Sequence, residues 1–154
     1  MGKALRLWVF AWALATCAKP PAPSRLAGLA RTRLVAGPRA VALLRDMHGG
    51  RFAPPQAVVA EYGGGQLTLY VAMFASGSEA ERSLAAMRRA LGRSGSFSEP
   101  RLLFQDPNRF LTVGPGGHHL FWRAENRVFW LAGNPDRVFA ATSELPPPAP
   151  GLRI

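Results

Sequence analysis

Cysteine, lysine and histidine are scarce: one, two and three among 154 residues. The single cysteine, Cys17, excludes an internal disulfide framework and a four-cysteine zinc site. No Gly-x-Ser-x-Gly elbow is present. The glycine clusters 63–65 and 114–117 do not lead into a helix through a Lys-Ser/Thr pair, so neither is a phosphate loop. The acids Glu61, Asp106 and Glu125 have no spacing that argues paired acid and base work. The apolar run Leu7–Ala18 is only twelve residues long. As a helix it rises roughly 18 Å, short of the ~30 Å hydrocarbon core, which disfavours a spanning helix. On these absences the chain is read as a non-enzyme with no cofactor and no bound metal.

Arginine, by contrast, is abundant: seventeen of the nineteen basic residues. The excess is uneven. Lys19–Arg51 carries seven basic residues against Asp46 alone, whereas Ala57–Leu145 carries nine against eight acids. A nearly neutral body has no surplus charge to drive counterion release from a phosphate backbone, so no nucleic-acid partner is expected. A basic stretch beside an apolar one is what an anionic membrane surface attracts.

Residues 1–18 read as a signal peptide or lipoprotein signal: Lys3 and Arg6, then the apolar run, then Lys19-Pro20-Pro21. Ala13-Leu14-Ala15 supplies small residues for ordinary signal peptidase. Leu14-Ala15-Thr16-Cys17 is similar to a bacterial lipobox, with Cys17 as the lipidation candidate and Thr16 departing from the usual Gly, Ala or Ser. Lipidation, soluble export and an uncleaved anchor all remain open. The expected address is the cell envelope, membrane-anchored or periplasmic. Residues 19–37 read as a Pro/Arg-rich linker, and 146–154, which opens with three prolines, as a disordered tail.

Between them, residues 38–145 are expected to form a single α+β domain. Pro38 suits a helix start, with Val41, Leu44, Met47 and His48 on one face and Gly49-Gly50 as the stop. Ala57–Tyr62 and Gln66–Phe74 read as strands. The second is apolar on both faces, so a central position covered on each side is expected. Ser76 and Ser78 stand three residues before Glu79 and Glu81, the capping-box spacing, at the head of a helix burying Ala80, Leu84, Met87 and Leu91. Arg88, Arg89 and Arg93 read as a solvated face near its negative C-terminal end. Short strands follow at 102–104, 109–113, 118–123 and 127–132, with a turn at Asp106-Pro107-Asn108. Asn134-Pro135-Asp136 caps a last helix running to about Leu145 and burying Val138, Phe139 and Leu145. The expected architecture is an antiparallel sheet of about five to six strands with helices packed mainly on one face. Two hairpin-then-helix stretches, 57–92 and 118–145, share a plan without matching residues.

His48-Gly49, AVVAEY at 57–62, Leu67–Phe74, the Glu-Ala helix, HLFW at 119–122 and VFWL at 128–131 carry a pattern. Over residues 40–145 the chain resembles a family of small bacterial exported or membrane-anchored proteins of unknown function. That resemblance implies an envelope address and a mixed α+β fold, and it supplies no catalytic residues.

Chemistry-bearing candidates are few. His118 and His119 are adjacent on a strand and point to opposite faces, so at most one can meet His48. Phe121, Trp122, Phe129 and Trp130 fall on neighbouring strands as an aromatic cluster. Arg123 and Arg127 flank the intervening turn, where they could stack on the rings. His48, His119, Trp122, Arg123 and Trp130 are therefore the ligand-groove candidates. The favoured function is a membrane-tethered extracytoplasmic binding or accessory module, with a possible protein partner in the envelope. A structural or interaction subunit of an envelope complex is the alternative, followed by a small ligand carrier or enzyme using His48 or His119.

Overall fold

The computed structural model describes residues 21–104 and 106–150. The expected signal at 1–18, with Cys17, lies outside the described residues. The chain forms β1 (Arg25–Leu26), β2 (Leu29–Ala36), α1 (Pro38–Met47), β3 (Gln56–Tyr62), β4 (Leu67–Met73) and α2 (Gly77–Leu91). It continues as β5 (Arg101–Leu103), β6 (Asp106–Gly114), β7 (Gly117–Ala124), β8 (Arg127–Gly133) and α3 (Pro135–Ala141). All eight strands join one antiparallel sheet in the order β1-β2-β3-β4-β8-β7-β6-β5. Among the described residues, no helix is long and apolar enough to cross a membrane.

This corrects the expected sheet of five to six strands. The two additional strands come from residues 25–36, inside the stretch read as a linker. Their arginines are absorbed by the fold. Arg31 donates to the Ala22 carbonyl at 2.7 Å, Arg25 to Gly28 at 2.8 Å, and Arg33 pairs with Glu61 at 3.0 Å. Ala22 and Leu26 are buried in the main core, and the buried Tyr62 hydroxyl donates to the Pro23 carbonyl at 2.9 Å. Burial, opposed by Arg31 and assisted by Glu144, pushes the Tyr62 phenol up to about 12. The packed body thus begins sixteen residues before Pro38.

The sheet is covered on both faces. Strand alternation puts Val58, Ala60, Tyr62, Leu67, Leu69, Val71, Leu120, Trp122, Phe129 and Leu131 on one face, beneath Val138 and Ala141 of α3. The opposite face carries Ala57, Val59, Tyr70, Ala72, Phe121, Val128 and Trp130. It is covered by Ala40 and Leu44 of α1 and by Ala80, Leu84 and Leu91 of α2. Two helices share one face and the third takes the other. β4 lies between β3 and β8 at the centre of the sheet, which accounts for its lack of a polar side.

Local signals set the ends of the helices. Ser76 accepts from the Glu79 amide at 3.2 Å and Asn134 from the Asp136 amide at 3.0 Å, each satisfying an orphan helix donor. α3 stops at Ala141, short of Leu145, and leaves Phe139 41% exposed, while Leu145 is buried. Met47, expected on the buried face of α1, is 58% exposed because Ala40 and Leu44 make the contact. The turn expected at 106–108 is the start of β6. Residues 146–150, within the segment read as a disordered tail, are held. The Pro146 carbonyl accepts from Trp122 at 3.0 Å, and the Ala149 amide donates to Arg123 at 2.8 Å.

The two hairpin-then-helix stretches meet at the β4–β8 pairing, where Leu67 faces Gly133, Tyr70 faces Trp130 and Met73 faces Arg127. The strands are related about the Tyr70–Trp130 pair, but α2 and α3 pack on opposite faces, so the relation ends at the sheet.

Candidate functional site

Register builds two aromatic stacks, one on each face. On the α2 face, Trp130 pairs with Phe121 and Phe121 with Phe110 across β8, β7 and β6. The Trp130–Phe121 rings stack at 4.8 Å and 13°, and Phe121–Phe110 at 5.4 Å and 21°. The Arg88 guanidinium of α2 closes the column, 5.1 Å from the Phe110 ring centre. On the α3 face, Trp122 stacks on Phe129 at 5.3 Å and 12°, with the Arg109 guanidinium 4.8 Å from a Trp122 ring centre. Stacked aromatic pairs and guanidinium–ring contacts each add roughly 0.5–1.5 kcal/mol beyond burial.

The groove candidates do not converge on one cavity. Trp122 is fully buried on the α3 face, while His119 and Trp130 lie on the other. Arg123 does not stack on a ring. It pairs with Glu81 at 2.6 Å and donates to the carbonyls of Glu125 at 3.0 Å and Pro150 at 3.4 Å. His48 caps the end of α1, its Nδ1 2.6 Å from the Leu44 carbonyl and its ring 5.0 Å from Phe52. No ring contact or hydrogen bond joins it to His119 among the described residues. The stacking arginines are Arg88 and Arg109, which come from elements distant in sequence from the turn. Among the described residues no group of three or more His, Cys, Asp or Glu is placed to hold a metal ion.

His119 has both ring nitrogens engaged. Trp130 Nε1 donates to Nδ1 at 3.0 Å, so Nε2 carries the proton and donates to the Pro115 carbonyl at 2.9 Å. Burial holds its pKa below the usual imidazole value; the Pro115 hydrogen bond opposes that shift and His118 adds to it. A second proton on Nδ1 would displace the Trp130 donor. A lowered folded-state pKa means the unfolded chain binds the proton first, so stability is full above about 6.5 and falls as the pH drops below it. His119→Gln is expected to flatten the decline in Tm between pH 7.5 and pH 5. An unchanged slope in thermal melts would show that His119 does not set it.

An open concavity lies at the end of the Arg88 column. Arg88, Arg89, Gly92 and Arg93 of the α2 terminus face Glu99, Pro100, Leu102 and Phe110 across a groove of about 570 Å³. Phe110 and Leu102 are opposed in the β5–β6 register and share the floor. Leu102 is 51% exposed, and Phe104, just beyond β5, is 101% exposed. Neither Arg89 nor Arg93 has a side-chain hydrogen bond or ion pair among the described residues. Three cations against one carboxylate make the rim positive, above an apolar floor.

By sequence alone these arginines read as a solvated face near the negative end of the helix dipole. The clustering of Arg88, Arg89 and Arg93 was visible, but nothing in the spacing brings Leu102 and Phe110 opposite them. That requires the 92–100 loop to return the chain along the sheet edge, where Ser98 donates to Val113 at 2.8 Å and bonds Thr112 through its hydroxyl.

The described residues form a mixed α/β fold: an eight-stranded antiparallel sheet covered on both faces, with an arginine-rimmed cleft at its β5–β6 edge. Comparison with protein-family models, curated proteins and solved structures finds no match.

Proposed function

We propose that the chain is a membrane-tethered binding module of the bacterial cell envelope and that the arginine-rimmed groove is its ligand site. The observation that carries the binding role is the groove itself. A positive rim over exposed Leu102 and half-buried Phe110 suits a ligand with a negative group and an apolar part. Support for the tether comes from the basic residues Lys3 and Arg6, the apolar run Leu7–Ala18 and the lipobox-like Leu14–Cys17. A lipid on Cys17 supplies one membrane signal.

Fractionation tests the address. The protein is expected in the membrane fraction, with the intact mass of a chain cleaved before Cys17 and acylated there. Cys17→Ser is expected to lose the acyl mass. An untrimmed, unmodified chain free in the cytosol would overturn the tether.

A further inference from the structure

We infer that the groove between α2 and β5–β6 holds an anionic phospholipid, with the phosphate at Arg89 and Arg93 and the upper acyl chain along Phe110, Leu102 and Phe104. The inference rests on the groove being the ligand site and names the class of molecule it takes.

Charge and apolarity are arranged in the order such a lipid needs. Arg89 and Arg93 have no partner among the described residues, whereas Arg88 is committed to the Phe110 ring. Guanidinium groups bind phosphate oxygens in a bidentate fork, so two free ones at one rim form an anion clamp. From the rim the floor runs over Phe110 and Leu102, and Phe104, two residues beyond Leu102 in the chain, is fully exposed. A soluble inorganic anion would leave that apolar strip in water. A zwitterionic lipid would bring its own cation against the arginines.

Chain reach favours the bilayer as the source. Ala22 is already buried in the core. Only Ala18, Lys19, Pro20 and Pro21 separate it from the acylation site Cys17. Fully extended, that path spans at most about 18 Å. A tether that short holds the body against the surface, where lipid is presented at high effective concentration. Pro21 and Pro23 line a cleft with Arg127, the first residue of β8. Antiparallel alternation places the β5–β6 connection at the same end of the sheet as the β7–β8 turn. The exposed Phe104 therefore lies at the end where the chain arrives.

The test uses the full chain in a nonionic detergent, with dioctanoyl phosphatidylglycerol, dioctanoyl phosphatidylcholine and hexaglutamate as probes. Native mass spectrometry and tryptophan fluorescence read binding; Trp130 stacks in the column that ends at the groove. One phosphatidylglycerol per chain is expected, with little phosphatidylcholine retained. The double variant Arg89→Gln/Arg93→Gln alters two exposed side chains. It is expected to keep the wild-type Tm and to bind phosphatidylglycerol roughly 30-fold more weakly at low salt, the effect of losing two arginine contacts to anionic lipid. Leu102→Asp is expected to weaken binding as well, while an adventitious headgroup contact would ignore it. Equal binding of the two lipids, or wild-type affinity in the double variant, overturns the inference. Arginine-dependent binding of hexaglutamate without phosphatidylglycerol also overturns it and assigns the groove to acidic peptides. If none of the probes binds, the ligand-site reading of the groove falls with it. Cell fractionation remains a separate readout: a cytosolic chain that binds phosphatidylglycerol through Arg89 and Arg93 would lose only the tether.

Discussion

Trp122→Ala is expected to lower the free energy of unfolding by about 3–5 kcal/mol, the range for deleting a fully buried aromatic ring. Stability totals roughly 5–15 kcal/mol for a domain of this kind, so the variant would sit near the edge of folding. The size of the effect comes from three losses at one position. Trp122 is 0% exposed, and its removal opens a cavity beside Phe129, its stacking partner at 5.3 Å. Its indole Nε1 donates to the Pro146 carbonyl at 3.0 Å, so the bond that pins the chain beyond α3 goes with it. Arg109 loses the ring beneath its guanidinium. That side chain is only 12% exposed, held by Asp106 at 2.7 Å and the Thr142 carbonyl at 3.2 Å. Burial already holds its pKa down, against the opposing pull of Asp106. Urea unfolding measures the total. Hydrogen exchange at the Ala149 amide, bonded to Arg123, reports whether the 146–150 segment is released. Trp122→Phe keeps an aromatic ring and loses the indole donor, so a smaller cost is expected. If Trp122→Ala cost less than about 1.5 kcal/mol, the ring would not be the centre of the α3-face core.

Gly133→Ala is expected to cost on the order of 3 kcal/mol despite adding a single methyl group. Gly133 has φ +145°, a conformation that residues with a Cβ rarely adopt. A Cβ there would be driven into the Gln66 carbonyl oxygen, a backbone atom with no freedom to move aside. The crowding is part of how the sheet closes around β8. Gly133 pairs with Leu67 on one side and His118 on the other, and the next residue, Asn134, donates its amide to that same Gln66 carbonyl at 3.1 Å. This close approach aims α3 back over its face of the sheet. Gly64→Ala is a control for backbone strain alone, since Gly64 has φ +67° and nothing within 4 Å of a built Cβ. Its expected cost is about 1 kcal/mol. Equal losses for the two variants in thermal or urea unfolding would remove the steric part of the argument.

The comparison of sequence with structure divides by whether a signal is local. β4 announced itself through apolar residues on both faces, and α2 and α3 through the caps at Ser76 and Asn134. The opposite orientations of His118 and His119 follow from strand alternation alone. β2 could not be read in this way. LARTRLVA lies toward the sheet edge, partly exposed, and its polar residues are satisfied by partners far along the chain, such as Arg33 by Glu61. A sequence of that composition reads as a basic tether until β3 is present to pair with it. The same applies to 146–150, where the order comes from the Trp122 indole and Arg123.

The candidate site was only half legible. Its aromatic column could be anticipated on β7 and β8, because consecutive strands around a short turn fall into register. Phe110 and the capping Arg88 could not, since they join through a third strand and a helix whose packing depends on the whole sheet. His48, His119 and Arg123 stand out by residue type, yet the fold engages each in hydrogen bonds.

Taken alone, then, the amino-acid order determined the central strand, the helix starts, the glycine turns and the placement of basic charge ahead of a nearly neutral body. These depend on neighbours within a few residues, where propensity, capping and periodicity act. Tertiary structure decided the edge strands β1 and β2, the distribution of the three helices over the two faces and the meeting of Arg89 and Arg93 with Leu102 and Phe110. Edge pairing and cleft formation depend on partners brought together only when the chain folds, and such partners leave no periodic trace in the sequence.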